Sequence, residues 1–224
     1  MIMNDKKYSV IAFDLDGTLT DPASGLIQGF IYCFKKLGID YGEEESLRRF
    51  IGPSLYEEWQ EEFGFTPEEA SDAIEVFREY YNIYGWWDNK PYEGVRKMLE
   101  NLRKNGKKLV LATSKPEDTA KKVLALFDLT KYFDFVGGAG STKNDQKWEV
   151  LAYSLSSVGV DVKNPDALAE CILVGDRCYD AEGAAKVGID SLGVLWGHGT
   201  EEEIYSSGFT LYAKSPDEVV EKIG

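Results

Sequence analysis

Two aspartates one residue apart, Asp14 and Asp16, follow directly on the apolar run Val10-Ile11-Ala12-Phe13 and lead into Gly17-Thr18-Leu19-Thr20-Asp21. A buried strand that delivers two carboxylates to its end supplies the parts of a metal site and of phosphoryl transfer, one acid attacking while the other moves protons. The same residues can also form an Asx turn at a strand exit, because Asp and Gly are ordinary turn residues. A calcium loop begins Asp-x-Asp as well, but it needs glycine at its sixth position and a bidentate glutamate at its twelfth. Here those positions hold Leu19 and Gly25, which excludes that reading.

Three further stretches carry chemistry: Leu111-Ala112-Thr113-Ser114-Lys115, Val174-Gly175-Asp176-Arg177-Cys178-Tyr179-Asp180, and a lysine that is either Lys143 or Lys147. A hydroxyl at Thr113 or Ser114 can donate to a phosphoryl oxygen. Ser114-Lys115-Pro116-Glu117 has capping-box spacing, which predicts a helix starting there, its free amides and positive dipole end facing the same anion. Lys147 falls near the start of a helical stripe, Trp148, Leu151, Ala152, Leu155 and Val158, where a cation opposes the helix dipole. A bound phosphate and a nearby acid cluster would explain that placement, whereas Lys143 reads as a loop charge.

Asp14, Asp16, Asp176 and Asp180, if brought together, would repel one another in a low-dielectric crevice unless a cation sat among them. Hard oxygen ligands with a phosphate partner suit magnesium, so Mg²⁺ is the expected cofactor. The element from Gly175 to Asp180 has a plainer reading, a strand exit with Asp180 capping the next helix. Lys115 and Arg177 are readable either as assisting cations or as surface residues. The lone His198, in Gly197-His198-Gly199, reads as a loop residue, since the two aspartates already provide acid and base.

Five short runs, apolar on both faces, would position these groups: Ser9 to Phe13, Lys108 to Ala112, Phe133 to Val136, Cys171 to Val174 and Ser191 to Leu195. Such runs with helical patterns between them predict a parallel sheet covered on each side, an α/β doubly wound Rossmann-like fold. In that fold the carboxyl ends of the strands meet at one crevice, making neighbours of residues that follow different strands. Roughly ninety residues separate the first two runs, far more than one crossover helix needs, so an all-helical subdomain is inserted there. The expected division is 1–20 with 91–224 as the core and 21–90 as the insert. Within the insert the sequence predicts a helix from Leu26 to Leu37 before Gly38, another over Leu47 to Trp59, and a third opened by Thr66-Pro67-Glu68-Glu69. Ala70, Ala73, Ile74, Phe77, Tyr80, Tyr81 and Tyr84 are expected in its interior.

With 224 residues, 43% of them hydrophobic, the chain can bury a substantial core. A net charge of −14 argues against nucleic acid and anionic membrane surfaces as partners, since both repel such a protein. The stretch from Pro22 to Lys90, with fourteen acidic against six basic residues, holds more than half of that charge. A phosphate-ester substrate would therefore need cations to overturn the field locally. Three cysteines without a Cys-x-x-Cys clip read as reduced thiols, and the short apolar run near the start suits neither a signal peptide nor a span. The expectation is a soluble cytoplasmic protein, monomer or homodimer.

Taken together, Asp14-Leu15-Asp16-Gly17-Thr18, Thr113, Lys147, and Gly175-Asp176-Arg177 with Asp180 resemble, in order, the four motifs of the haloacid dehalogenase superfamily. The insert resembles that family's helical cap of type C1. Asp16-Gly17-Thr18-Leu19-Thr20-Asp21-Pro22, Phe50-Ile51-Gly52-Pro53-Ser54-Leu55, Ala112-Thr113-Ser114-Lys115-Pro116 and Gly193-Val194-Leu195-Trp196-Gly197 resemble its phosphoglycolate-phosphatase-like and 5′-nucleotidase-like branch. The Gly-Ser-Ser-rich turn common in that branch is here Gly137-Gly138-Ala139-Gly140-Ser141-Thr142.

The resemblance implies a phosphatase acting on a small phosphomonoester, with Asp14 as nucleophile and Asp16 as acid and base. Thr113, Ser114 and Lys147 would bind the phosphoryl group. Asp14, Asp16 through its backbone carbonyl, Asp176 and Asp180 would hold or orient Mg²⁺. Asp16 separates phosphatases from dehalogenases, which lack an acid at that place. The cap is implied to close over the crevice, with Arg49, Gly52 and Lys90 as candidate contacts. The alternatives are a phosphomutase resembling β-phosphoglucomutase, sharing all four motifs, and a noncatalytic binding module on the same fold.

Overall fold

The computed structural model describes residues 8–140 and 146–224; Ser141, Thr142 and Lys143 of the turn discussed above lie outside the described residues. The chain divides into two compact units, Met1–Thr20 with Pro91–Gly224, and Asp21–Lys90.

The first unit is built on a six-stranded sheet in the order β5-β4-β1-β6-β7-β8. Its strands are β1 (Val10–Phe13), β4 (Lys108–Pro116), β5 (Phe135–Ala139), β6 (Cys171–Gly175), β7 (Asp190–Val194) and β8 (Leu211–Ala213), all paired in parallel. Two more short strands, β2 (Thr20–Asp21) and β3 (Lys90–Pro91), lie where the chain leaves this unit and returns. From β1 the connections run outward through β4 to β5, then return to β6 on the other side of β1 and run outward again to β7 and β8. That reversal beside β1 is the doubly wound pattern, and it opens a crevice at the carboxyl ends of β1 and β6.

β8 is absent from the five apolar runs of the sequence because it is three residues long and only half-buried at the sheet edge. The central strands are buried on both faces. Val10, Ala12, Val110, Ala112, Cys171 and Leu173 pack one face against Val150, Leu151 and Leu155, whereas Ile11, Phe13, Leu109, Leu111, Ile172 and Val174 are fully buried on the other.

Helices α4 (Val95–Lys104), α5 (Glu117–Leu126), α6 (Lys147–Ser157), α7 (Pro165–Leu168), α8 (Cys178–Val187), α9 (Glu201–Ser206) and α10 (Pro216–Ile223) complete the unit. Val95, Met98, Leu99 and Leu102 of α4 are buried as their spacing predicts. Two readings change. The helix expected to open at Ser114 starts at Glu117, because a residue before proline is driven out of the helical region, so Lys115 stays extended ahead of Pro116. Strand β4 instead continues to Pro116, which pairs with Ala139 of β5. In α6 the buried face is Val150, Leu151, Ser154 and Leu155, while Trp148 is exposed.

The second unit is helical, with α1 (Ala23–Leu37), α2 (Leu55–Phe63) and α3 (Pro67–Tyr80). The stretch read as one helix over Leu47 to Trp59 is two elements, a 3₁₀ segment at Glu44–Phe50 and α2, separated by Ile51-Gly52-Pro53-Ser54. Phe30, Phe34, Phe50, Trp59 and Phe77 form its aromatic centre, with ring centroids 5.2 Å apart in the Phe30–Phe77 stack and 6.4 Å apart in the Phe30–Phe34 stack. Ala70, Ala73, Phe77 and Tyr81 are buried, Ile74 and Tyr80 half-buried, and Tyr84 is exposed. After Tyr80 the helix widens to an i→i+5 turn, with Trp86 N–H donating to Tyr81 O at 3.0 Å, and this shift of phase turns Tyr84 outward.

Cys33, Cys171 and Cys178 are all free thiols. No helix among the described residues is long and apolar enough to cross a membrane.

At the start of α3 the Thr66 hydroxyl accepts from Glu69 N–H at 3.3 Å and the Glu69 carboxylate accepts from Thr66 N–H at 2.8 Å, closing the capping box. Thr66→Ala removes one half of it. Urea denaturation is expected to show a loss of about 1 kcal/mol in the stability of the helical unit.

Candidate active site

The pairing of Phe13 with Leu111 and with Val174 aligns β1, β4 and β6, so Asp14 and Asp16, Thr113, and Asp176 all emerge at one end of the sheet. Lys147 is the first residue of α6, the helix that follows β5, and reaches the same place. Its Nζ donates to Asp14 Oδ1 at 2.7 Å and sits 2.6 Å from Asp180 Oδ1. Asp14, Asp176 and Asp180 each present a carboxylate oxygen within 4.8 Å of the others, and all three residues are buried.

Both oxygens of Asp176 are held. Thr18 Oγ1 donates to Oδ1 at 3.1 Å, and the backbone N–H of His198 donates to Oδ2 at 2.7 Å. The turn after β1 passes so close that a Cβ on Gly17 would lie 2.1 Å from Asp176 Oδ2, and its φ of +86° belongs to the left-handed region. Gly197 faces the same carboxylate from the other side, its Cβ position 2.4 Å from Asp176 Cβ. Two backbone segments therefore clamp Asp176 at distances only glycine permits.

Asp180 serves two of the roles the sequence leaves open. Its Oδ2 accepts from the N–H groups of Asp176 and Arg177 at 3.1 Å each, capping α8, while Oδ1 meets Lys147. Arg177 donates through Nε to Glu203 Oε1 at 2.8 Å, and the same oxygen accepts from Cys178 N–H at 2.9 Å, tying α9 to the start of α8.

The carboxylate of Asp16 stands apart from this trio. Its Oδ2 accepts from Lys115 Nζ at 2.6 Å, in a pair whose side chains are almost fully buried. Thr113 is buried, and its hydroxyl oxygen accepts from Lys115 N–H at 3.2 Å, which leaves its proton for another acceptor. Ser114 is half-buried.

Burial governs the charge states. It raises the pKa of Asp176 well above the carboxylate range, helped by repulsion from Asp180 and Asp14. Burial also raises Asp180 and outweighs the pull of Lys147. It raises Asp16 against the opposing attraction of Lys115. For Lys147 burial works downward, but Asp14 and Asp180 overcome it and the net displacement is upward. Three buried acids whose carboxylate oxygens converge fit a hard divalent cation.

Sequence reasoning left Lys115 open between site and surface and gave His198 no more than a loop position. The structure puts Lys115 on Asp16 and the His198 backbone on Asp176. The signals were present: a proline that keeps Lys115 extended, and two glycines that flank His198. In the helical unit, the candidate contacts Arg49 and Lys90 pair with Glu62 at 2.5 Å and with Asp21 at 3.4 Å, and Gly52 is half-buried.

Comparison with known proteins agrees with this geometry. Residues 11–194 match the model of the haloacid dehalogenase-like hydrolase family. The chain is 33% identical over 207 residues to a 5′-nucleotidase of Pseudomonas aeruginosa, covering 92% of this chain and 91% of that one. It is 34% identical to the tyrosine-protein kinase PtkA of Mycobacterium tuberculosis, over 96% of this chain and 72% of that one. The crystal structure of a predicted phosphatase from Clostridium acetobutylicum superposes with a TM-score of 0.89 at 36% identity, covering 96% of this chain and 98% of that one. The chain belongs to the haloacid dehalogenase-like hydrolase family.

Proposed function

We propose that this protein is a Mg²⁺-dependent phosphatase that hydrolyses a small organic phosphomonoester, of the phosphoglycolate or nucleoside 5′-monophosphate kind, through an aspartyl phosphate on Asp14. The observation that carries this reading is Lys147 bridging Asp14 and Asp180 beside Asp176, with Asp16 held separately by Lys115. The names of the relatives support a phosphate ester as substrate. Three free thiols support a reducing, cytoplasmic setting.

In the first half-reaction a carboxylate oxygen of Asp14 attacks phosphorus in line, the bond to the leaving oxygen breaks, and the Asp16 carboxyl gives that oxygen its proton. The burial that raises the pKa of Asp16 favours the protonated form this step requires. In the second, Asp16 takes a proton from water as the water attacks phosphorus, which releases inorganic phosphate and restores Asp14. Lys147 and the hydroxyls of Thr113 and Ser114 neutralise and orient the phosphoryl oxygens, since positioning and charge stabilisation carry most of this chemistry. Asp14, Asp176 and the backbone carbonyl of Asp16 would hold Mg²⁺, with Asp180 orienting the site from behind. When bound, the ion supplies positive charge for the phosphoryl oxygens and removes the repulsion among the acids.

Asp14→Asn is expected to reduce Mg²⁺-dependent release of phosphate from p-nitrophenyl phosphate by at least ~10³-fold, measured by colorimetry with and without EDTA. Unchanged hydrolysis would remove Asp14 from the role of nucleophile. Release without any added bisphosphate would separate a phosphatase from a phosphomutase.

A second variant tests the electrostatics. The carboxyl of Asp176 binds its proton more tightly in the folded than in the unfolded chain, so at neutral pH its ionisation opposes folding. Asp176→Asn in the metal-free protein is expected to raise Tm by about 2–4 °C, the size of about 1 kcal/mol in a chain of this length. The penalty is complete above the raised folded pKa and absent below the unfolded value of about 3.9, so the difference should shrink as pH falls. Differential scanning calorimetry between pH 4 and pH 8 (about the range over which a raised carboxylate titrates) reads this directly.

A further inference from the structure

Lys115 is a buried cation that phosphate neutralisation does not use. It is only 7% exposed, and its ammonium donates to Asp16 Oδ2 at 2.6 Å. The other oxygen, Asp16 Oδ1, is equally buried and has no hydrogen-bond partner among the described residues. A carboxylate gripped at one oxygen loses the freedom to exchange its two oxygens by turning about its last side-chain bond.

The grip comes from rigid backbone. Lys115 belongs to β4, its N–H donates to Thr113 Oγ1 at 3.2 Å, and the following Pro116, paired with Ala139 of β5, keeps it extended. A lysine on a loop would give up more conformational freedom to hold the same contact.

We propose that Lys115 is a positioning residue for the acid of this site: by anchoring Asp16 Oδ2 it assigns Oδ1 as the oxygen that hands a proton to the leaving group. Lys115 transfers no proton itself. The proton on Asp16 Oδ1 passes to the leaving oxygen as the phosphorus–oxygen bond breaks, and Asp16 is left as a carboxylate paired with the Lys115 ammonium. This inference rests on the reading of Asp16 as the acid.

Leaving groups of different basicity separate this role from a structural one. A nitrophenolate departs without a proton, whereas the alkoxide of glycerol phosphate needs one. With full-length protein and saturating Mg²⁺, kcat/KM is measured for p-nitrophenyl phosphate and for glycerol phosphate on the same sample of wild type, Lys115→Met, Lys115→Arg and Asp16→Asn. The ratio of the two values does not depend on how much of a variant is folded.

Lys115→Met is expected to lower kcat/KM for glycerol phosphate by ~10²-fold, the lower bound for losing a general acid, and that for p-nitrophenyl phosphate by less than ~5-fold. Lys115→Arg, which keeps the charge, should restore most of the ratio. Equal losses on both substrates, or no loss on either, would overturn the positioning role. Asp16→Asn should shift the ratio in the same direction and at least as far. If it does not, the assignment of Asp16 as the acid has failed rather than that of Lys115.

Discussion

When fully ionised, four carboxylates buried at one end of a sheet with two lysines among them leave a surplus of two negative charges where water screens them poorly. The rest of the site is arranged around that surplus. Lys147 lies between Asp14 and Asp180, Lys115 neutralises Asp16, and Asp176 has hydrogen-bond donors on both oxygens but no cation within the described contacts. A divalent ion matches the deficit in sign and size. With that surplus neutralised, a phosphate ester can approach a protein of net charge −14.

Holding like charges together requires a scaffold that cannot relax away from them. The parallel sheet supplies it: β1 and β6 are in register over four residue pairs, are buried on both faces, and end side by side. The turn through Gly17 and the loop through Gly197 and His198 then close on Asp176, and the α8 cap fixes Asp180. Ionising Asp176 there opposes folding, because burial and the neighbouring Asp180 and Asp14 hold its proton more tightly in the folded chain. The fully buried aliphatic residues of the strands and α4 offset it elsewhere.

Most of this was legible in the sequence because the signals are local. Runs apolar on both faces gave five of six strands, and Lys147 was distinguishable by a cation's poor fit at a helix start. Where reading failed, the cause was a competing local rule or a contact distant in sequence. The capping-box spacing at Ser114 yielded to the proline that follows Lys115, and the helical stripe through Tyr84 ended when α3 changed its winding. β8 is too short and too exposed to carry a pattern. The pair between Lys115 and Asp16 joins residues 99 apart, and the contact of His198 with Asp176 uses a backbone group, which no residue type announces.

The charge deficit is measured most directly by isothermal titration calorimetry of Mg²⁺ into the metal-free full chain, wild type against Asp176→Asn. The account predicts a single saturable ion per wild-type chain and the loss of that binding when the Asp176 charge is removed. No saturable binding to the wild type, or the same isotherm for both proteins, would contradict it.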